Sequence, residues 1–131
     1  MEEVLFRMPV TSNTLLPGGP IIKLGFVQTS IECLYDDVDS GTSLRYRLTL
    51  VFDGIKVSKL TNRLANDVEI IDKAYEQVVD FGQTEWLTHV KSNLAQNRTD
   101  SSGLRHLVIY FDGGTGLEFI CTDFRTTTEM I

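Results

Sequence analysis

Polar and apolar positions alternate most regularly between Leu44 and Phe52. Leu44, Tyr46, Leu48, Leu50 and Phe52 share one parity, while Arg45, Arg47 and Thr49 share the other. A period of two marks a strand with one packed face and one face in water. Asp53-Gly54 follows, a dipeptide of tight two-residue turns, and Ile55 to Leu60 is expected to return as the next strand. Ile21 to Tyr35 reads as one long strand whose parity changes: Ile22, Leu24 and Phe26 take one face, then Ile31, Cys33 and Tyr35 the opposite parity. Strand parity cannot change without a kink, so a bulge is expected near Gln28 to Ser30. Asp36 to Thr42 is the hairpin loop that closes it. Upstream, Val4 to Val10 fits an edge strand, because Pro9 is tolerated there, and Thr11-Ser12-Asn13-Thr14 with Pro17-Gly18-Gly19-Pro20 has the chemistry of a loop.

A helical period takes over in the second half. Thr84 to Asn97 carries Trp86, Leu87, Val90 and Leu94 on one stripe, with Thr84 as cap and Glu85 at the positive end of the dipole. The stretch Asp67 to Phe81 is ambiguous. Val68, Ile71, Tyr75, Val78 and Val79 fit a helical stripe with Asn66 as cap, yet Tyr75, Val79 and Phe81 also share strand parity. Helix is expected for its first part, and 74–81 stays open between helix and strand. Leu104 to Phe111 is apolar on both parities, as in a central strand covered on both faces. Asp112-Gly113-Gly114-Thr115-Gly116 turns the chain, Leu117 to Phe124 pairs back, and Arg125 to Ile131 is expected to fray. The pattern as a whole predicts one α+β domain over residues 1–131. Its expected core is a curved, mostly antiparallel sheet of about five to seven strands, with one or two helices packed on one face.

Composition narrows the function classes. The chain has 131 residues, inside the single-domain range of roughly 100–200. Twelve basic against eighteen acidic residues give a net charge of −6, and the basic residues are scattered. A duplex-binding surface needs clustered Lys and Arg, so neither nucleic acid nor an anionic membrane is expected as a partner. A basic protein partner would be steered favourably. No apolar run approaches the ~20 residues that span a bilayer, and the acidic N-terminus lacks the apolar stretch of a signal peptide. The expected location is the cytoplasm. There Cys33 and Cys121 are read as buried free thiols and the sequon Asn97-Arg98-Thr99 is without meaning.

Candidate chemistry is sparse. The acidic loop Asp36, Asp37 and Asp39 does not fit a calcium loop, because neither register supplies alternate carboxylates and a closing Glu. Asp112 to Gly116 leads into a strand rather than a helix and lacks the Lys of a phosphate loop. His106 shares parity with Val108 and Tyr110 and is able to meet Glu118 or Cys121 on the paired strand, whereas His89 sits at the margin of the helix stripe. Glu118 and Asp123 lie on opposite parities, which argues against a paired-carboxylate acid–base site. Trp86 is expected to pack on the sheet, and Arg45, Arg47 and Lys56 offer a basic strand face. No cofactor or metal is expected.

Three stretches, Tyr75-Glu76-Gln77-Val78-Val79 leading to Thr84-Glu85-Trp86-Leu87, Arg105-His106-Leu107-Val108-Ile109-Tyr110-Phe111-Asp112, and Leu117-Glu118-Phe119-Ile120, resemble small uncharacterised bacterial proteins. In these a Ser/Thr-Glu-Trp-Leu helix precedes a strongly apolar C-terminal hairpin. The resemblance implies an extended conformation around Val78. Its motifs are packing motifs, and it brings no activity or binding residue.

Two functional expectations follow. The first is a small acidic protein-interaction module, immunity-like or accessory, that binds a basic partner with Asp36, Asp37 and Asp39. The alternative is a ligand-binding protein or enzyme with a pocket between sheet and helix, lined by His106, Tyr110, Glu118 and Cys121. A homo-oligomer through an edge strand is compatible with either.

Overall fold

The computed structural model describes residues 2–37, 44–62, 68–112 and 115–131. Among them the chain runs β1 (Glu3–Arg7), a 3₁₀ turn (Ser12–Thr14), β2 (Leu16–Lys23), β3 (Gln28–Asp37), β4 (Leu44–Asp53) and β5 (Val57–Asn62). It continues through α1 (Val68–Ala74), β6 (Gln77–Asp80), α2 (Glu85–Gln96), β7 (Arg105–Tyr110), β8 (Thr115–Cys121) and β9 (Asp123–Met130). The strands form two antiparallel sheets rather than the expected single curved one. One has five strands in the order β1-β6-β7-β8-β5, the other four in the order β2-β3-β4-β9.

The reason for two sheets lies in β7 and β8. Both are buried on both faces, so each needs two covers, and the helices supply only one. The second cover is the four-stranded sheet. Ile31, Cys33 and Tyr35 of β3 and Leu48, Leu50 and Phe52 of β4 form one cluster with Leu107 and Ile109 of β7 and Leu117, Phe119 and Cys121 of β8. Phe52 anchors it, stacked on Phe119 at 4.4 Å and tilted against Phe124 at 5.0 Å. Each such side chain contributes roughly 1.5–3 kcal/mol through burial. The opposite parity of β3 and β4 faces outward, where Arg45 pairs with Asp36 and Arg47 with Glu129. On the far side of the five-stranded sheet, Leu87 and Val90 of α2 pack with Leu104 and Ile120, and Trp86, Leu94 and Val57 flank them. Ala74 at the end of α1 packs with Val79 and Val108. The layers are thus sheet, sheet, helices.

Several local expectations are corrected. The stretch Ile21 to Tyr35 is two strands joined by a turn at 24–27, not one bulged strand; Ile22 pairs with Ile31 across it. Pro17 to Pro20 lies inside β2, an edge strand whose irregular pairing between Leu16 and Ile21 accommodates the prolines. Asp53-Gly54 does not close a hairpin with the following strand. Gly54 has φ +65°, and the chain crosses to the other sheet, where Val57 pairs with Ile120 and Lys59 with Glu118. The C-terminal stretch is ordered as β9, paired with β4 from Asp123 to Met130. The ambiguous segment divides into α1 and β6, while Asn66, Asp39 and Gly113-Gly114 lie outside the described residues. No helix among the described residues is long and apolar enough to cross a membrane.

Candidate functional site

The helix-facing side of the five-stranded sheet carries the buried polar residues that the sequence singled out. His106, Val108 and Tyr110 of β7 share this face with Glu118 and Ile120 of β8, and the register sets Val108 opposite Glu118 and His106 opposite Ile120. His106 and Glu118 are therefore diagonal neighbours, and Nε2 of the ring lies 2.9 Å from Glu118 Oε1. The other ring nitrogen, Nδ1, lies 2.8 Å from Thr84 Oγ1. Thr84 is also the N-cap of α2 and accepts from the Leu87 N–H at 3.3 Å.

These partners set the proton positions. A carboxylate only accepts, so Nε2–H donates to Glu118, and in the neutral ring Nδ1 then accepts from the Thr84 hydroxyl. Trp86 sits edge-on to the imidazole at 5.0 Å and Phe81 at 5.4 Å. Lys59 Nζ lies 3.7 Å from Glu118 Oε2, an oxygen without a hydrogen bond. Hydroxyl, imidazole and carboxylate line up at distances a proton relay would need. However, His106 and Glu118 are each only 5% exposed, and the hydroxyl is spent on capping the helix. The array therefore ties the start of α2 to the sheet.

The other expected members do not join it. Tyr110 is buried on the same face but one turn of pleat further along, with its ring 6.3 Å from that of Tyr75. Cys121 has the opposite parity and lies in the core between the sheets, where burial pushes its thiol up to about 12. Burial does the same to Cys33. His89 is exposed on α2, 3.4 Å from Asn93.

In the acidic loop, Asp36 forms a cross-strand pair with Arg45 at 2.8 Å, and that hydrogen bond holds its carboxyl below the usual range. Asp37 is half-buried opposite Leu44. Asp36 also edges a wide-mouthed depression of about 430 Å³ lined by Val10, Thr11 and Thr14. Nearby, Glu76 adopts a left-handed φ of 54°. Its Oε1 accepts from the Ser12 N–H at 2.8 Å and the Ser12 hydroxyl at 2.7 Å, which offsets the strain and clamps the 3₁₀ turn.

The feature that sequence reading missed is the turn between β2 and β3. Leu24 is 59% exposed, Val27 64% and Phe26 99%. The turn is nevertheless fixed. The Ile55 N–H donates to the Val27 carbonyl at 2.9 Å, and Gln28 Nε2 donates to Asp53 Oδ1 at 2.7 Å. The Gly25 N–H lies 3.5 Å from the hydroxyl of the fully buried Thr29. A Cβ on Gly25 would stand 2.4 Å from the Gln28 carbonyl oxygen, so the backbone closes on itself only with glycine there. An aromatic ring is thereby held in water on a pinned hairpin tip. The signal in the sequence was Gly25 between Leu24 and Phe26, read as part of a continuous strand.

Compared with protein-family models, with curated proteins and with solved structures, the chain matches none.

Proposed function

We propose that this chain works by binding another protein, with the β2–β3 tip as the docking element. The observation that carries the reading is Phe26, 99% exposed on a turn whose C-terminal shoulder is fixed by the Ile55–Val27 and Gln28–Asp53 hydrogen bonds. Contiguous exposed apolar side chains mark interaction sites, and aromatic residues including Phe are enriched at interfaces relative to the rest of the surface. A turn that is already ordered also loses little entropy on docking. The partner surface is an apolar cleft able to receive Leu24, Phe26 and Val27 together.

The electrostatic part of the reading changes with the geometry. Asp36 and Asp37 lie at the opposite end of β3 from the tip, roughly 30 Å away at about 3.3 Å per residue. Lys23, Lys56 and Arg125 are the cations nearer the tip in the strand order. The net charge of −6 therefore favours a basic partner through long-range steering, while the contact itself is apolar. A ligand pocket at His106 and Glu118 is less well supported, because their polar atoms bind one another and Thr84.

The test is a parallel capture from the native host with tagged wild type and Phe26→Ser. A protein recovered in stoichiometric amount by wild type and lost with Phe26→Ser is the expected result. Equal recovery with both would refute the tip as the docking element.

A further inference from the structure

Strand β9 is the edge of the four-stranded sheet. Edge strands are ordinarily blunted by bulges, prolines or lysines, and the other edges follow that rule. β1 has a register irregularity between Val4 and Phe6, β2 contains Pro17 and Pro20, and β5 carries Lys59. β9 has no bulge, proline or lysine: its sequence is Asp-Phe-Arg-Thr-Thr-Thr-Glu-Met, its charged residues Asp123, Arg125 and Glu129 all lie on the outward face, and its register with β4 is unbroken. Met130, on the core-facing parity, is 64% exposed.

We infer that β9 pairs antiparallel with β9 of a second copy, about a two-fold axis through Thr127. The backbone sets which registers are allowed. The Ile131 N–H donates to the Arg45 carbonyl, so odd-numbered residues of β9 turn their backbone groups toward β4. The groups of Phe124, Thr126, Thr128 and Met130 then point to the open edge. Two such edges can bond only by pairing even with even residues, which requires an axis through a residue rather than between two.

Side-chain chemistry selects among those registers. With the axis at Thr127, Arg125 faces Glu129 of the second copy and Glu129 faces its Arg125. Phe124 meets Met130 and Thr126 meets Thr128, each in both directions. Shifting the axis to Thr126 would bring Asp123 against Glu129, a like-charge pair. The ion pairs also extend rows already present. Arg125 is paired with Asp53 and Glu129 with Arg47, so the dimer carries alternating charges across the joined sheet. Its core-facing side covers Met130 with Phe124 of the second copy. The result joins two four-stranded sheets into one continuous sheet with an isologous interface.

The inference does not depend on the Phe26 tip, and its test leaves that reading untouched. Sedimentation equilibrium across a concentration series is expected to give twice the monomer mass for wild type. Thr128→Pro removes an edge-facing N–H without touching the β4 ladder, and is expected to give monomer with unchanged Trp86 emission. Register is read by mild oxidation. Thr127→Cys is expected to cross-link to itself, because it faces its own copy in a close non-hydrogen-bonded pair. Arg125→Cys is expected to link only when mixed with Glu129→Cys. Cys33 and Cys121 are fully buried and do not compete. Wild type that stays monomeric to millimolar concentration, with Thr127→Cys linking no faster than Arg125→Cys alone, would overturn the inference.

Discussion

Replacing Thr84 by valine keeps the shape of the side chain and removes one oxygen that performs two tasks. As N-cap it accepts from the Leu87 N–H, and loss of such a cap costs about 1 kcal/mol. It also donates to His106 Nδ1 at 2.8 Å. Without it, a nitrogen on a residue 5% exposed is left beneath Trp86 with no donor, at a cost of about 1–3 kcal/mol. The two losses fall on different atoms, so Thr84→Val is expected to destabilise the protein by about 2–4 kcal/mol. Urea unfolding followed by the emission of the single tryptophan, Trp86, reads this directly. With a slope of about 2 kcal/mol per molar urea, the midpoint should fall by about 1–2 M. Thr84→Ser keeps the oxygen and is expected to stay within about 0.5 kcal/mol of wild type. A Thr84→Val midpoint equal to wild type, or a serine variant as unstable as the valine one, would refute the idea that this hydroxyl ties α2 to the sheet.

Phe52→Ala should cost about 3–5 kcal/mol, because it empties the stack between Phe119 and Phe124; thermal unfolding measures this. Gly25→Ala drives a Cβ into the Gln28 carbonyl, and is expected to shift the amide resonances of residues 24–28 far more than those of α2. The thiols of Cys33 and Cys121 are raised to about 12 by burial. They should stay unreactive to a disulfide reagent at pH 8 in the native protein and react fully in denaturant. The sign also predicts stability falling as pH rises above 9, since the unfolded thiols release their protons first. Asp53 shifts the other way, lowered by the hydrogen bonds from Gln28 and then Arg125. The stability it adds is full above its unfolded value and is lost as pH falls through the folded one, which a pH series of urea midpoints for wild type and Asp53→Asn would detect.

The elements whose periodicity had a single reading were legible in the sequence. β4 shows strict alternation, α2 has a cap and a stripe, and β7 is apolar on both parities; the structure places all three as the pattern implies. Alternation names the buried face of a strand but not the surface that covers it. That is why the pattern does not show the partition into two sheets and sets β5 beside β4. Arg125 to Ile131 reads as a fraying end although Thr126 to Thr128 is β-branched, because the inward face of β9 is apolar only at Phe124 and Met130. At the polar array the sequence leaves His106 a choice between Glu118 and Cys121, which sit on opposite faces of β8, and the register selects Glu118. Thr84 reads as a cap in the sequence but not as a partner of His106, since that contact joins residues 22 positions apart. The parity change between Phe26 and Ile31 hides the tip. A bulge explains such a change as well as a hairpin does, and only the hairpin leaves Phe26 in water.

The docking claim rests on Phe26 serving a partner rather than the fold. Its most direct test is the affinity of Phe26→Ser for the purified partner, by titration calorimetry against wild type. An aromatic anchor is worth about 2 kcal/mol or more, so the affinity is predicted to fall about 30-fold or further, with an unfolding midpoint equal to wild type. Equal affinity for both proteins would contradict the account.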